Sequence, residues 1–401
     1  MSINKLTLPN NPSYKEGSLL SSVETANGLI ASEFTFTRAS SAISKKRDGY
    51  HKLGENIPRI ESGGKLLLEP TRTNLLTYSN DFADASWGVV SGGAGSAPII
   101  TPNYGNSPEG VNNATRLQLD LNGGVGDSDR SGIQASAGSV TNRATTCKTI
   151  WIKSNDSNIY DLILMEATGG SNTGELVKAL PNVWTRVSNI GTVTGTQTRL
   201  ALSLDNRFGV SVSNTADVLI YGAQLEEGSY PTSNINTSGA TATRLADRCF
   251  NDNLGNVING SEGTLFFDGV FIGEDTNRRI SISDGTNSNF IQFGLNINNN
   301  TQVSVTAGGV AQLDVFNNSG FVWGQSSKFA FAYAENDFRV YIDGLLFASS
   351  NSGITFPDGV LDTLSFARYD GMSNVFTGTV SSLSCYPTAL SDTECIELTK
   401  K

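Results

Sequence analysis

The sequence has 401 residues, of which 38% are hydrophobic and 16% charged, and its formal net charge is −10. This length suits two or three domains of ~100–200 residues each, and the 19 Phe and 11 Tyr residues argue against a disordered chain. A nucleic-acid partner is not expected, because the longest basic run, Lys45 to Arg47, is too short to form a basic face against phosphates.

Composition favours an all-β fold. The 42 Gly residues and the many Ser, Thr and Asn residues are typical of short strands joined by turns, and no heptad pattern predicts a coiled-coil stalk. At the start of the chain, residues 1–65 contain few apolar residues and are interrupted by Pro9, Pro12 and Gly17. A segment this poor in apolar residues cannot hold a core alone, so we expect it to be an attachment region that folds against a partner.

Residues 66–249 form the first predicted domain, which begins with an apolar run and a predicted turn at residues 71–74. Several later segments alternate apolar and polar residues or are continuously apolar, a pattern typical of an antiparallel sandwich. Trp151 and Trp184 lie in two of these segments, where they either pack in the core or offer a platform for sugar stacking. The predicted strands are 149–153, 160–165, 183–187, 199–204 and 218–221.

Residues 250–262 are polar and are predicted to be a linker, and residues 263–401 are predicted to form a second sandwich. In the phrase RRISISDG the isoleucines fall on one face of a strand and the serines on the other. Near the end of the chain, Ser391 followed three residues later by Glu394 predicts a capped helix start. Further strands are predicted at 264–272, 290–295, 302–307, 328–334, 338–342 and 345–348.

Several phrases between residues 34 and 247 resemble, in order, those of bacteriophage tail and fibre proteins. They are FTFTRASSAI at 34–43, ENIPRIES at 55–62, LLLEPTRTNLL at 66–76 and AQLEEGSYPTSNI at 223–235, and TRLAD at 243–247 fits the same pattern. In those proteins the phrases frame a carbohydrate-binding-module-like jelly roll. The resemblance therefore implies a jelly roll for residues 66–249.

The last domain resembles a second family. The phrase KFAFAYAENDFRVYIDGLLFAS at 328–349 and the ending at 379–398 are similar to concanavalin A-like, laminin-G-type lectin domains. Such domains carry their binding residues on variable loops, so this resemblance identifies no ligand. The fold class expected for the whole chain is all-β, with two antiparallel β-sandwiches, a jelly roll and then a concanavalin A-like domain, after the N-terminal attachment region.

The two resemblances imply a phage virion appendage, a tail or head fibre, that displays lectin-like domains and binds host-surface glycans during adsorption. They also imply a homotrimer that contacts other virion proteins through residues 1–65. Synthesis in the host cytoplasm is expected, because the first residues lack a signal-peptide core, and membrane insertion is not expected. The alternatives are a purely structural fibre or capsid-decoration protein and, less favoured, a glycan-cleaving enzyme.

Glycan contacts are sought among loop aromatics beside polar side chains, because sugar C–H groups pack on rings while their hydroxyls take hydrogen bonds. Trp323 lies between two glycines, and Tyr369 has Asp370 and Asn374 near it. Tyr104 lies in the polar phrase TPNYGNSP. Each of these rings is either a glycan contact or a cap on one end of a sandwich.

The sequence offers little for metal or catalytic chemistry. Asp127 and Asp129 lie in the loop GGVGDSDRSG, which is either a calcium site built from oxygen ligands or a solvated loop. The single histidine, His51, lies in the sparse N-terminal region. Glu226 and Glu227 are adjacent on a predicted strand, so they point to opposite faces and cannot act as a catalytic pair. No enzymatic activity is expected.

The four cysteines show no CxxC spacing. This pattern predicts buried, free thiols in a protein made in a reducing cytosol. Cys385 and Cys395 are the only two close enough along the sequence to suggest a local bridge.

Overall fold

The computed structural model describes residues 5–46, 49–168, 171–273 and 276–401. The chain is nearly all β and divides into two compact units. The flanking unit consists of Met1–Arg47, Leu53–Thr71 and Leu245–Lys401, and the inserted unit consists of Asp48–Lys52 and Arg72–Arg244. One sandwich is therefore inserted into the sequence of the other.

The strands before the main insertion are β1 Lys5–Leu8, β2 Tyr14–Lys15, β3 Ser18–Thr25, β4 Gly28–Thr37, β5 Ala42–Lys46, β6 Gly49–Leu53, β7 Arg59–Ile60 and β8 Leu66–Leu68. Those of the insertion are β9 Arg72–Asn74, β10 Trp87–Gly92, β11 Ile99–Asn106, β12 Asn112–Asp120, β13 Arg130–Ser136, β14 Thr145–Ser154, β15 Tyr160–Thr168, β16 Ser171–Ala179, β17 Thr185–Thr192, β18 Thr198–Asp205, β19 Thr215–Glu227 and β20 Ala242–Arg244, with a 3₁₀ turn at Asn206–Phe208. The last part has β21 Arg248–Asn251, β22 Glu262–Phe271, β23 Arg278–Ser283, β24 Phe290–Leu295, β25 Thr301–Ala307, β26 Val310–Asn317, β27 Ser326–Ala334, β28 Asp337–Ile342, β29 Leu345–Ser350, β30 Thr363–Ser365, β31 Gly378–Tyr386 and helix α1 Asp392–Thr399.

The flanking unit is an antiparallel sandwich around one aromatic core. Pairing runs without a break in the order β26-β25-β24-β23-β30-β21-β4-β3-β1-β31-β22-β27-β28-β29. The inward side chains of both halves of this path share one buried cluster. At its centre the ring of Phe267 lies 5.6 Å from that of Phe293 and 5.8 Å from that of Phe376. The expected all-β sandwich architecture is confirmed.

The N-terminal segment belongs to this sandwich, which differs from the expected boundary at residues 65 and 66. Strand β1 pairs with β31, with Leu6 opposite Cys385, and β8 pairs with the same strand. Leu8, Leu19 and Phe36 are buried in the shared core. The segment is too poor in apolar residues to form a core alone. The last strands of the same chain complete its core, so the expectation that it must fold against a partner is not met.

Two shorter segments also differ from expectation. The predicted linker at residues 250–262 is packed: β21 pairs with β4 and β30, and Leu254 and Ile258 are buried in the core. The predicted turn at residues 71–74 contains β9, which pairs with β20. In both cases pairing with a strand far along the sequence overrides the local turn chemistry.

The inserted unit is a two-sheet jelly roll. Its sheets have the strand orders β10-β13-β18-β15-β16 and β11-β12-β19-β14-β17, and their inner faces share a second hydrophobic core. All five strands predicted for this region are present, although β17 begins only after Trp184. Trp151 is buried, whereas Trp184, the residue before β17, is half-buried.

A buried group of four charged residues, the root network, lies where the chain leaves and re-enters the flanking unit. Arg38 Nη1 lies 3.1 Å from Asp247 Oδ1, and Arg59 forms ion pairs with both Glu69 and Asp247. The Glu69 amide also donates to Asp247, at 2.7 Å. Each of the phrases FTFTRASSAI, ENIPRIES, LLLEPTRTNLL and TRLAD contributes one of these residues. Four of the five phrases that carry the fibre-protein resemblance therefore supply this network within the flanking unit.

The end of the chain follows its sequence pattern. Ser391 caps α1 and forms a reciprocal capping box with Glu394, as predicted. All four cysteines are free and buried, and burial raises the pKa of the Cys385 thiol to about 12. Within the described part of the chain, no helix has the length and apolarity needed to cross a membrane.

Candidate functional site

The loop at residues 366–375 lies across the outer face of β23, opposite the core. The hydroxyl of Ser281 donates to the carbonyl of Ala367 at 2.9 Å, and that of Ser283 donates to the carbonyl of Tyr369 at 3.0 Å. Because side chains alternate along a strand, both serines point away from the core, where Ile280 is buried. The sequence alternation thus positions this loop over the sheet.

The ring of Tyr369 is held between two neighbours. Phe290 of β24 stacks on it with ring centroids 4.7 Å apart, and the Arg368 guanidinium lies 4.4 Å from its centroid. Tyr369 is half-buried, and its ring already contacts both neighbours. Its contact with Arg368 makes it a support that orients the guanidinium.

Asp370 and Asn374 shape the same loop. The carboxylate of Asp370 accepts hydrogen bonds from the amides of Met372 and Ser373, at 2.9 and 2.8 Å. Burial alone would raise the pKa of Asp370, but the hydrogen bonds from Ser373 and Met372, together with the charge of Arg368, outweigh it and lower the pKa. Asn374 has φ +50°, and its carbonyl accepts from the Arg279 amide at 2.9 Å. Of the site residues predicted from sequence, Tyr369, Asp370 and Asn374 are therefore brought together.

Beside this loop, four polar residues form a transverse row on the outer face. Ser281, Gln292, Ser304 and Asp314 are direct partners across β23, β24, β25 and β26. Directly opposite residues have Cβ atoms about 4.5–5.5 Å apart, so these side chains are neighbours. The Ser304 hydroxyl donates to Asp314 at 2.8 Å. We call this row, together with Arg279 and the loop at 366–375, the polar face.

Gln292 is the unusual member of the polar face. Its side chain is only 7% exposed, and its amide oxygen has no hydrogen-bond partner among the described residues. Leaving a buried polar group unpaired costs ~1–3 kcal/mol, so most such groups in proteins have a partner or bind a water or ligand. Among the described residues, Ser21 and Ser327 of the flanking unit also have unpaired buried hydroxyls, but Gln292 is the member of the polar face with an unpaired buried atom.

Sequence reasoning missed Gln292, Arg279 and Arg368. The strand patterns did contain a signal, because Gln292 lies between the buried Ile291 and Phe293 and must face outward. The packing of the loop at 366–375 over this strand could not be predicted, because the two segments are far apart in the sequence.

Trp323 lies on the loop between β26 and β27, and it is 38% exposed. The following residue, Gly324, has φ +71°, and its amide donates to the carbonyl of Phe271 at 2.9 Å. No hydrogen bond or ring contact of the Trp323 side chain occurs within the described residues. Its ring is therefore accessible but lacks an organised polar neighbour.

Tyr104 of the inserted unit lies on the outer face of its own sheet, at a bulge in β11. The ring is 46% exposed and packs on Arg116, whose Cζ lies 4.8 Å from the ring centroid. Arg116 in turn forms a two-point ion pair with Asp217, with its Nε 2.8 Å from Oδ1. Among the described residues, Asp217 is the carboxylate that Arg116 bonds. The ring of Tyr104 therefore packs on an arginine that is already paired, and it remains partly exposed.

Across the same sheet, Trp184 provides a second aromatic surface. The Lys153 ammonium lies 5.1 Å from its ring centroid, and its indole N–H donates to the carbonyl of Asn106 at 3.3 Å. Arg116 and Lys153 are both partners of Leu219, so they lie in one transverse row. Tyr104 packs on one cation of this row and Trp184 on the other, and the Trp184 indole reaches Asn106 on the strand that carries Tyr104.

The two aspartates considered as calcium ligands differ in burial and in hydrogen bonding. Asp127 is exposed, whereas Asp129 is buried and accepts hydrogen bonds from the amides of Ala94 and Gly126, both at 2.7 Å. These two amides lower the pKa of Asp129. No group of three or more His, Cys, Asp or Glu residues suited to a metal occurs in the described ranges.

The adjacent glutamates have structural roles. Glu226 is fully buried and accepts from the amide and hydroxyl of Thr232, at 2.8 and 2.6 Å, and from Gln224. Glu227 accepts from the amide and hydroxyl of Thr141. The phrase AQLEEGSYPTSNI therefore ties the segment after β19 back onto its sheet.

Comparison with protein families gives one match. Residues 272–395 match the family described as the concanavalin A-like lectin/glucanases superfamily, a region that lies within the flanking unit and contains the polar face. The match agrees with the lectin-like sandwich expected there. No curated protein matches the chain.

Comparison with solved structures gives distant likenesses. A leech intramolecular trans-sialidase is 17% identical with a TM-score of 0.30, over 35% of this chain and 23% of that enzyme. The CBM22-1 xylan-binding domain from Paenibacillus barcinonensis Xyn10C is 11% identical with a TM-score of 0.26, over 40% of this chain and 94% of the domain. A tail fibre protein from an E. coli phage is 9% identical with a TM-score of 0.23, over 78% of this chain and 41% of that protein. With TM-scores this low, none of the three carries an argument.

Proposed function

We propose that this chain is a non-enzymatic phage appendage protein that binds host-surface glycans through the polar face of its flanking unit. The observation that carries the proposal is the buried amide oxygen of Gln292, which has no hydrogen-bond partner among the described residues. A sugar hydroxyl can donate a hydrogen bond, so it can satisfy this oxygen.

The surroundings of Gln292 support binding of a polar ligand. Ser304 and Asp314 lie next to it in the row, and the loop at 366–375 stands beside it. The family match of residues 272–395 supports a lectin-like role for this region. Binding is favoured over cleavage because the adjacent acids considered for catalysis, Glu226 and Glu227, are held in structural hydrogen bonds.

The appendage part of the proposal rests on the fibre-protein phrases, including the assembly as a homotrimer and the location on the virion. Since the N-terminal strands belong to the flanking unit, contact with other virion proteins would use their exposed residues. Leu29 and Ile30, at the turn between β3 and β4, are 74% and 57% exposed. Mass measurement in solution tests the trimer, and a monomeric mass at working concentration would overturn that part.

The test of glycan binding is an array of host-surface polysaccharides probed with the whole chain, with and without calcium. A truncation at residue 263 is unsuitable, because it removes β1, β4 and β8 from the sandwich. We expect binding by the parent chain and roughly tenfold weaker binding by Gln292→Met. The control is Gln118→Met, the same change on a strand of the inserted unit. Folded protein that binds no glycan would favour the purely structural fibre.

A further inference from the structure

The Arg368 guanidinium is oriented by aromatic rings, and the acidic group that feels its charge is Asp370 of the same loop, whose pKa it lowers. It packs over the ring of Tyr369, which is itself stacked on Phe290, and Phe290 lies two residues before Gln292 on the same face of β24. No ion pair of Arg368 occurs among the described residues. A planar guanidinium fixed in this way matches the two oxygens of a carboxylate.

A second guanidinium lies beneath the same face. Arg279 is buried, and it donates to the carbonyls of Arg278 and Leu295 and to the amide oxygen of Gln302. Gly294 separates Arg279 from Gln302 in the row and leaves the space that this contact crosses. Burial, together with the nearby charges of Arg278 and Arg368, lowers the pKa of Arg279 to about 10. Arg279 is thus a buried cation close to Arg368.

The carboxylates nearby are engaged elsewhere. Asp314 accepts from Ser304, and Asp370 accepts from the amides and hydroxyl of its own loop. The charge of Asp314 acts to raise the pKa of Arg279, and that of Arg368 lowers the pKa of Asp370, but neither carboxylate forms an ion pair with these arginines among the described residues. The polar face therefore contains two guanidinium groups without an ion pair, on the same face as an unpaired amide oxygen.

We infer that the glycan bound at the polar face carries a carboxylate, as in a uronic-acid sugar, with Arg368 holding the carboxylate and Gln292 bonding a hydroxyl. This inference rests on the proposed glycan-binding function. The carboxylate would offset the repulsion between the two guanidinium groups. Because the whole chain has a net charge of −10, recognition would be local and would not come from general attraction to an acidic polymer.

The test compares one uronic-acid polysaccharide with its carboxyl-reduced form, which keeps the sugar backbone but lacks the charge. Binding of each to the whole chain is measured by calorimetry at physiological ionic strength, for the parent chain and for Arg368→Gln, Arg368→Lys and Arg199→Gln. Arg199 is an exposed residue of the inserted unit, so its substitution controls for the loss of one positive charge.

We expect the acidic form to bind roughly tenfold more tightly than the reduced form. Arg368→Gln removes that preference and Arg368→Lys restores only part of it, since lysine lacks the two-point geometry, while Arg199→Gln changes nothing. Equal binding of both forms, unaffected by Arg368→Gln, overturns the acidic-sugar inference and leaves glycan binding standing. Failure of both forms, and of every glycan on the array, overturns the proposed function as well.

Discussion

The root network and the polar face both contain buried arginines, but their partners differ. In the root network Arg38 and Arg59 meet the carboxylates of Glu69 and Asp247. On the polar face Arg279 meets only neutral oxygens. Removing one member of a buried ion pair is costly because the other charge is left uncompensated, so the root network is expected to stabilise the flanking unit. On the polar face, the Gln292 amide oxygen and the Arg368 guanidinium form no such pairs among the described residues, so they are the groups that a ligand would bond.

The largest expected effect comes from breaking the root network. Asp247→Ala removes a carboxylate that contacts both arginines and the Glu69 amide, so we expect a loss of about 3–5 kcal/mol in the free energy of unfolding. Denaturant unfolding measures the change, and the exposed Asp252→Ala is the control. A loss below about 1 kcal/mol, the range of surface ion pairs, would contradict the structural role.

The next prediction concerns Gln292→Met, which should change glycan binding without lowering stability. Gln292→Met replaces a buried amide whose oxygen is unpaired with an apolar side chain of similar size, so stability should stay constant or rise by up to about 1 kcal/mol. Glycan affinity should fall by roughly tenfold. Thermal unfolding and calorimetry on the same sample measure both quantities. A variant that is clearly less stable than the parent would mean that Gln292 has a structural partner.

These two regions also show what the sequence could reveal. The strand alternation around Ile280 and the capping pair Ser391 and Glu394 were sufficient to predict local structure. The membership of β1, β3 and β4 in the flanking unit could not be predicted, because it depends on pairing such as that between β1 and β31 across almost the whole chain. Arg368 escaped notice for the same reason: only the folded loop places it beside Gln292.

A smaller effect is expected from treating the protein with a metal chelator, which tests whether the loop at Asp127 and Asp129 holds calcium. The Asp129 carboxylate already accepts two loop amides, much as the root carboxylates accept their arginines. We therefore expect a chelator to leave the melting temperature of the chain unchanged. A clear fall on chelation, reversed by calcium, would show that the loop at Asp127 and Asp129 binds calcium as the sequence allowed.

The smallest expected effect is the pH dependence of stability that comes from Asp156, a carboxylate that accepts several hydrogen bonds. Hydrogen bonds from Tyr160 and the Asn158 amide lower the pKa of Asp156 from its ordinary 3.8 to about 2. Because the folded-state pKa is depressed, the stabilisation is fully present above pH 3.8 and is lost as the pH falls toward about 2. Asp156→Asn should be slightly less stable than the parent at neutral pH, with a difference that shrinks over that window. A constant difference would contradict the assignment.

The central claim is that the unpaired groups of the polar face bind an acidic glycan. The most direct measurement is a crystal structure of the whole chain with a bound uronic-acid oligosaccharide. We predict a carboxylate on Arg368 and a sugar hydroxyl within hydrogen-bond distance of Gln292. An oligosaccharide bound elsewhere, with only ordered water on the Gln292 amide, would contradict the claim.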